Sequence, residues 1–196
     1  MKKSIYLLLI TLISLGFNLL ADENQKIKRI SEGDQNSKIT IIAYESLTCS
    51  HCADFHKNLY PDLKKDFIDK GLVKIEFRHF PLDIAAFNAS KIGQCNNDGK
   101  SDLTHILFSG QKKWAKGKTP EEATEYLKKF LTDEGISIDF EKCLNDKNIE
   151  DYVLNDRIEG VKKFKVNATP TIIINGKKFD KALNYNNLKK YLEKLI

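Results

Sequence analysis

The sequence predicts an α/β fold in which a long helical segment interrupts a small sheet. An apolar run at residues 39–44 and an alternating run at residues 73–78 flank a stretch with helical periodicity, which is the order of a parallel βαβ unit. Residues 171–174 are again apolar and precede an Asn-Gly pair at 175–176, a strong hairpin signal. Between these two parts, about residues 82–165 have helical patterns throughout.

The first 21 residues have the layout of a secretory signal peptide. Two lysines precede an almost wholly apolar run at residues 5–20, and Ala21 stands before a polar stretch. Leu19 is larger than cleavage sites favour, so an uncleaved membrane anchor is the alternative. We therefore expect residues 22–196 to form one exported domain, either free or tethered at its N-terminus.

Composition and charge exclude several classes of function. The chain of 196 residues has 32 basic and 27 acidic residues, for a net charge of +5. The lysines are interspersed with acidic residues along the predicted helices, so the sequence predicts no nucleic-acid binding. No phosphate-binding loop, catalytic carboxylate pair or serine triad pattern is visible.

The apolar strand at residues 39–44 leads into Cys49-Ser50-His51-Cys52, the centre of the predicted site. Pro61 lies within the helical pattern that follows, so we expect a kink or a break there, and an end of the helix near Gly71. The apolar residues of this pattern recur at steps of three and four: Cys52, Phe55, Leu59, Leu63 and Phe67.

Two cysteines at this spacing can close and reopen a small disulfide ring. At the start of a helix, the free N–H groups and the dipole favour a thiolate at Cys49, and Cys52 in the first turn can attack a mixed disulfide formed there.

The alternatives to a redox pair are zinc binding with His51 and His56, and a plain structural bridge. One short helix cannot direct all four side chains to a tetrahedral point, so we expect no metal and no cofactor. Three further histidines are interpreted as structural or surface residues: His56, His79 and His105.

The remaining elements follow in order. A patch at residues 27–30 precedes a short edge strand, and residues 73–78 alternate between apolar and charged side chains, as in a half-buried strand. Thr119 and Pro120, followed by two acidic residues, mark the start of a helix. The insertion contains five helical patterns: 83–94, 102–114, 120–135, 140–144 and 149–164. After the hairpin, residues 187–196 close the chain as an amphipathic helix.

Cys95 and Cys143 form a second candidate pair, separated by 48 residues. An oxidising compartment lets a disulfide persist, and a bridge here would join the early and late parts of the insertion. Its closure would constrain the unfolded chain by roughly 4 kcal/mol. Two buried free thiols are the alternative.

These motifs together resemble the DsbA family of bacterial thiol oxidases, which have a thioredoxin fold with an inserted helical subdomain. The resemblance rests on C-S-H-C after the first central strand and on V-N-A-T-P-T before the hairpin, and it covers the whole of residues 22–196. It implies a cis bond between Thr169 and Pro170 beside the disulfide, where residue 169 pairs with an extended substrate chain. An ordinary trans proline is the alternative. It also implies that His51 stabilises the thiolate of Cys49, against the alternative of a mere surface residue.

Several positions depart from the family pattern. Many relatives have an acidic residue six positions before the first cysteine, where this chain has Ala43. Glu45 has the same strand parity and is the candidate for that proton-relay role. Ser50 stands where the best-known members have proline, and Thr169 is more typical of isomerase relatives. A second disulfide resembles an alphaproteobacterial branch of the family.

The resemblance implies a periplasmic oxidase that introduces disulfides into unfolded exported proteins containing cysteines. Exchange takes place at Cys49 and Cys52, and a DsbB-like membrane partner reoxidises the pair. The chain is expected to be monomeric. Two alternatives stay open: a disulfide isomerase or reductase of the same fold, and a secreted binding protein in which the Cys49–Cys52 bridge is only structural.

Overall fold

The computed structural model describes residues 26–196; the predicted leader, residues 1–21, lies outside the described residues. The described part has the predicted α/β architecture. It contains a mixed five-stranded sheet, with helices before, within and after the predicted insertion. No helix within this range has the length and apolar character needed to cross a bilayer.

The sheet has the strand order β1-β3-β2-β4-β5. β2 pairs in parallel with β3, with Ile39 opposite Val73, and antiparallel with β4. β1 and β5 are short antiparallel edges. The strands are β1 Ser31–Glu32, β2 Ile39–Glu45, β3 Val73–His79, β4 Thr171–Ile174 and β5 Lys177–Lys178.

The first helical region, residues 50–68, is called the long helix below. We expected a kink or a break at Pro61; the region has no break, and the type of helix changes on both sides of Pro61. Its successive parts are α1 Ser50–Asp54, a π-helical segment Phe55–Leu59, α2 Tyr60–Leu63 and a second π-helical segment Lys64–Ile68. The N–H of Tyr60 bonds to the carbonyl of Phe55, five residues back. Pro61 therefore stands in the first turn of α2, where its missing N–H is tolerated.

Six helices lie between β3 and β4, in the segment predicted as the insertion. They are α3 Ile84–Gln94, α4 Asp102–Ser109, α5 Gln111–Trp114, α6 Pro120–Asp133, α7 Phe140–Asn145 and α8 Lys147–Phe164. Thr119 caps α6 by accepting a hydrogen bond from the N–H of Glu122. The helix α9 Tyr185–Leu192, capped by Asn184, follows the hairpin and begins two residues earlier than predicted.

Gly110 divides the helix that we expected over residues 102–114 into α4 and α5. A Cβ atom at this position would lie 2.0 Å from the ring of Phe130, so α6 packs directly against the backbone of Gly110. The division depends on this long-range contact, which the local periodicity does not contain.

Two of the three hydrophobic clusters in the described residues involve the long helix. One joins the sheet to the long helix and α9, through residues such as Ile41, Leu63 and Leu188. The other joins the start of the long helix to the insertion and includes Cys52 and the fully buried Trp114. A disulfide between Cys95 and Cys143, with Cα atoms 5.5 Å apart, joins the end of α3 to α7.

Candidate active site

The cysteine pair lies at the start of the long helix. Cys49 is the N-cap residue of α1 with an extended backbone, and its carbonyl accepts hydrogen bonds from the N–H groups of Cys52 and Ala53. Both thiols are free, but Cys49 is partly exposed, whereas Cys52 is fully buried. The two sulfurs therefore differ in access to a second protein.

Cys49 is an acidic thiol. A hydrogen bond from the Cys52 thiol is the main influence that lowers its pKa to about 5; partial burial opposes this, and the contact with Thr169 supports it. The backbone N–H groups of Cys52 and His51 also stabilise the thiolate. At neutral pH, Cys49 is therefore a thiolate.

Cys52 has the opposite character. Burial raises its pKa far above the ordinary value, the hydrogen bond to Cys49 raises it further, and the charge of Glu45 adds to the effect. A Cys52 thiolate is thus unstable in this site and must take up a proton. This asymmetry suits Cys49 to exchange disulfides with a second protein, and Cys52 to act as the internal thiol of the pair.

His51 and the Thr169–Pro170 segment border a groove beside the cysteines. The peptide bond between Thr169 and Pro170 is cis, and the Cys49 sulfur lies 3.4 Å from the Thr169 carbonyl oxygen, to which it donates a hydrogen bond when it is protonated. The His51 side chain is exposed and lines the groove, which has a volume of about 450 Å³, while its backbone N–H acts on Cys49. The backbone N–H of His51 is therefore the group of this residue that lowers the pKa of Cys49.

Glu45 ends β2, is buried at 5% exposure, and its charge acts on Cys52. The Nε2 atom of His56, on the long helix, lies 3.0 Å from each of its carboxylate oxygens. His56 also contacts His105 of α4, with 2.9 Å between their Nδ1 atoms. We interpreted both histidines as structural or surface residues, and the helical pattern contains no signal for this long-range contact.

Gln111, which the sequence analysis missed, holds the turn that carries Cys49. Its buried side chain donates from Nε2 to the carbonyl oxygens of Leu47 and Cys49, at 2.8 and 2.9 Å. On the other side of the turn, the Thr48 hydroxyl donates to the N-cap residue of α3, Asp83, over 2.7 Å. The insertion therefore fixes the position of the nucleophile.

Replacing Gln111 by leucine is expected to destabilise the protein by about 2 kcal/mol, because it leaves a buried carbonyl of Leu47 without a donor. Urea denaturation of the variant measures the change. Lys112→Ala, at the exposed neighbouring position, is the matched control and should leave the free energy of unfolding within about 0.5 kcal/mol of wild type. Equal stability of the two variants would contradict the role of Gln111.

Comparisons with known proteins agree with this geometry. A family model described as Thioredoxin matches residues 25–194. The crystal structure of alpha-DsbA1 from Wolbachia pipientis is 28% identical, with a TM-score of 0.75, over 85% of this chain and 90% of that one. The prediction of a thioredoxin-like fold with an inserted helical subdomain is therefore confirmed.

Curated relatives are named for disulfide chemistry. A putative protein-disulfide oxidoreductase of Rickettsia bellii is 28% identical over 162 residues, which is 79% of this chain and 58% of the relative. Disulfide bond formation protein D of Bacillus subtilis is 27% identical over 179 residues, which is 83% of this chain and 74% of that protein. The chain thus spans less than two thirds of the length of the Rickettsia relative.

Proposed function

Because the chain belongs to the DsbA family of thioredoxin-fold proteins, we propose that it is a thiol:disulfide oxidoreductase that introduces disulfides into exported proteins. The observation that carries this proposal is the asymmetry of the cysteine pair. Cys49 is partly exposed and acidic, with a pKa of about 5, while Cys52 is buried and its pKa is raised. Stabilising the Cys49 thiolate stabilises the reduced pair, and this makes the disulfide form a stronger oxidant.

In the proposed reaction, a substrate thiolate attacks the Cys49 sulfur of the disulfide form. A bond forms between the two sulfurs, the Cys49–Cys52 bond breaks, and its electron pair stays on Cys52, which takes up a proton. A second substrate thiol loses its proton and attacks the substrate sulfur of this mixed disulfide. Cys49 then leaves as the thiolate that the site stabilises. The substrate gains a disulfide and the protein gains two electrons.

The surroundings of Cys49 support a protein substrate. The groove beside Thr169 and Pro170 is open, and it is lined by apolar and polar side chains that suit an extended chain. At the start of α3, Leu82 and Ile84 are 51% and 62% exposed, close to the turn held by Thr48. Unfolded exported proteins that contain cysteines fit this surface better than a small molecule.

Location and partners belong to the same proposal. We propose a periplasmic location, either cleaved or tethered, and the signal-peptide pattern of residues 1–21 supports it. An oxidase of this kind needs an acceptor for the two electrons of each cycle, and a DsbB-like membrane protein is the proposed reoxidant. We propose a monomer as the working form.

The decisive experiment is a redox titration of the Cys49–Cys52 pair against glutathione. It uses a Cys95→Ala/Cys143→Ala variant alongside wild type, so that the second pair does not contribute. A potential well above that of thioredoxin, roughly −270 mV, supports the oxidase. A potential near that value favours a reductase or isomerase, and a pair that resists reduction throughout leaves a structural bridge in a binding protein.

The acidity of Cys49 predicts a pH dependence. The absorbance of the thiolate in the reduced protein is expected to stay constant above pH 7, to halve at about pH 5 and to vanish below it. In Cys52→Ala, the midpoint should rise, because the Cys52 thiol is the main donor to the Cys49 sulfur. A wild-type midpoint near the ordinary cysteine value of about 8.5 would contradict the proposed nucleophile.

The same lowered pKa has a defined effect on stability. The Cys49 thiolate is favoured in the folded state, so its stabilisation is fully present above the ordinary thiol pKa and is lost as the pH falls through about 5. The reduced protein should therefore lose stability between pH 8 and pH 5 relative to Cys49→Ser. Chemical denaturation of both proteins across this range measures the difference.

A further inference from the structure

Four buried or partly buried side chains form a continuous hydrogen-bonded row that includes His56, four residues after Cys52 on the long helix. The row begins at Glu45, passes through His56 and His105, and ends at Glu32 of β1, whose Oε1 lies 2.7 Å from the His105 Nε2 atom. It joins β2, the long helix, α4 and β1, which are far apart in sequence. Nothing in the proposed exchange yet uses its outer three members.

The row connects the interior to the surface. The side chains of Glu45 and His56 are 4% and 5% exposed, whereas that of His105 is 27% exposed. The His56 ring is stacked on Phe108, with 4.2 Å between ring centroids, so its two nitrogens are held toward their partners. A surface pocket of about 610 Å³ is lined by both histidines. Protons can therefore reach the pair from solvent.

The hydrogen-bond geometry determines how many protons the two rings hold. Each Nε2 faces a carboxylate, which only accepts hydrogen bonds when it is ionised, so each Nε2 has a proton. The two Nδ1 atoms, 2.9 Å apart, are bonded only if one has a proton and the other does not. The rings then hold three protons between them, one more than two neutral imidazoles, and the pair has one positive charge.

The groups around the pair are consistent with this charge. At the outer end, burial alone would raise the pKa of Glu32, but hydrogen bonds from His105, Ser101 and Lys64 together lower it. β3 and α4 present apolar rings to the pair. The titratable and charged groups that face it or line the two pockets beside it are Glu45, Glu32, Tyr60, Lys64, Lys57, Lys112, Asp54, Lys100 and Asp102.

We propose that His56 and His105 are a shared-proton pair that neutralises Glu45 and supplies, through it, the proton that Cys52 takes up when the disulfide opens. The proposal rests on the exchange reaction above. When the Cys49–Cys52 bond breaks, the electron pair stays on the Cys52 sulfur. The Nε2 proton of His56 passes to Glu45, and Glu45 delivers a proton to Cys52. A proton from solvent at His105 restores the pair, and reoxidation reverses the transfers. The two histidines are positioning residues, since they act on the sulfur through Glu45.

The test measures the oxidation rate of a dithiol peptide between pH 5 and pH 8 by stopped flow. His105→Gln keeps a hydrogen-bonding side chain beside Glu32 but has no ring proton to share. Its rate should fall about tenfold at pH 7, and it should lose the part of the wild-type pH dependence that remains after correction for ionisation of the substrate thiol. Ser109→Ala, in the same surface pocket, is the matched control and should keep the wild-type profile.

Chemical rescue separates a proton-transfer role from a structural one. In His105→Ala, added imidazole can enter the surface pocket beside His56, and it should restore most of the lost rate. In wild type, ¹⁵N NMR of the rings should show a proton on each Nε2 atom and one proton between the two Nδ1 atoms.

The outcomes are distinguishable. If wild type oxidises the peptide and His105→Gln has the same rate and pH profile, the shared-proton pair is wrong and the proposed function stands. A rate loss with an unchanged profile and no rescue by imidazole also overturns it, because the histidine is then only structural. If wild type does not oxidise the peptide at all, the proposed function itself fails.

Discussion

Replacing Cys49 by serine is expected to abolish oxidation of a dithiol peptide, with a loss of at least about a thousandfold in rate. A serine hydroxyl cannot form the disulfide that accepts the substrate's electrons, and Cys52 cannot substitute because it is fully buried and its pKa is raised. The measurement is the rate of peptide disulfide formation, followed by mass spectrometry after acid quenching.

Cys52→Ala should fail in a different and informative way. Cys49 keeps its exposure in this variant, so it can still form a mixed disulfide, and with a substrate that has one cysteine no second thiol remains to resolve it. When an unfolded protein with a single cysteine is supplied with an oxidant, covalent adducts at Cys49 should accumulate and disappear on reduction. Intact oxidase activity in Cys49→Ser would contradict the redox proposals and favour a binding protein with a structural bridge.

Removing the second pair is expected to have the largest effect on stability. The Cys95→Ala/Cys143→Ala variant should lose roughly 4 kcal/mol of unfolding free energy, because the bridge closes a loop with a sequence separation of 48 residues. The truncation at Cys143, which is 1% exposed, adds a smaller packing loss. Guanidinium denaturation of the variant and of wild type gives the difference.

The same variant should keep its redox chemistry. Cys95 and Cys143 lie at the end of α3 and in α7, in the same hydrophobic cluster as Cys52, but neither is among the main groups that shift the pKa of Cys49. We therefore expect the potential of the Cys49–Cys52 pair to be that of wild type within error. A change in stability of less than about 1 kcal/mol would show that the bridge constrains the unfolded chain much less than its loop length implies.

Short-range patterns in the chain were sufficient to predict the architecture. A strand followed by C-S-H-C and a helix, an insertion with helical periodicity, and an Asn-Gly hairpin are each defined by neighbours within a few residues. They also identified Cys49 and Cys52 as candidates, because the chemistry of this pair depends on spacing along the chain, whereas Thr169 and Pro170 became candidates through the resemblance to the DsbA family. Pro61 shows the limit of such rules, since the π-helical segments on both sides accommodate it.

The surroundings of the cysteine pair could not be predicted in this way. Glu45 was a candidate from strand parity, but its partner His56 is 11 residues away, and His105 is another 49 residues on. Gln111 reaches Leu47 across 64 residues. Such contacts have no local signature, because they depend on how the insertion packs against the sheet.

By itself, then, the sequence determined the fold class, the redox pair and the hairpin beside it, since hydrogen bonding and periodicity act between near neighbours. Only the tertiary structure decided how acidic each thiol is and which side chains Glu45 contacts. Burial, the contact of Cys49 with Thr169 and the row from Glu45 to Glu32 arise when distant segments meet, and they set the charges on which the chemistry depends.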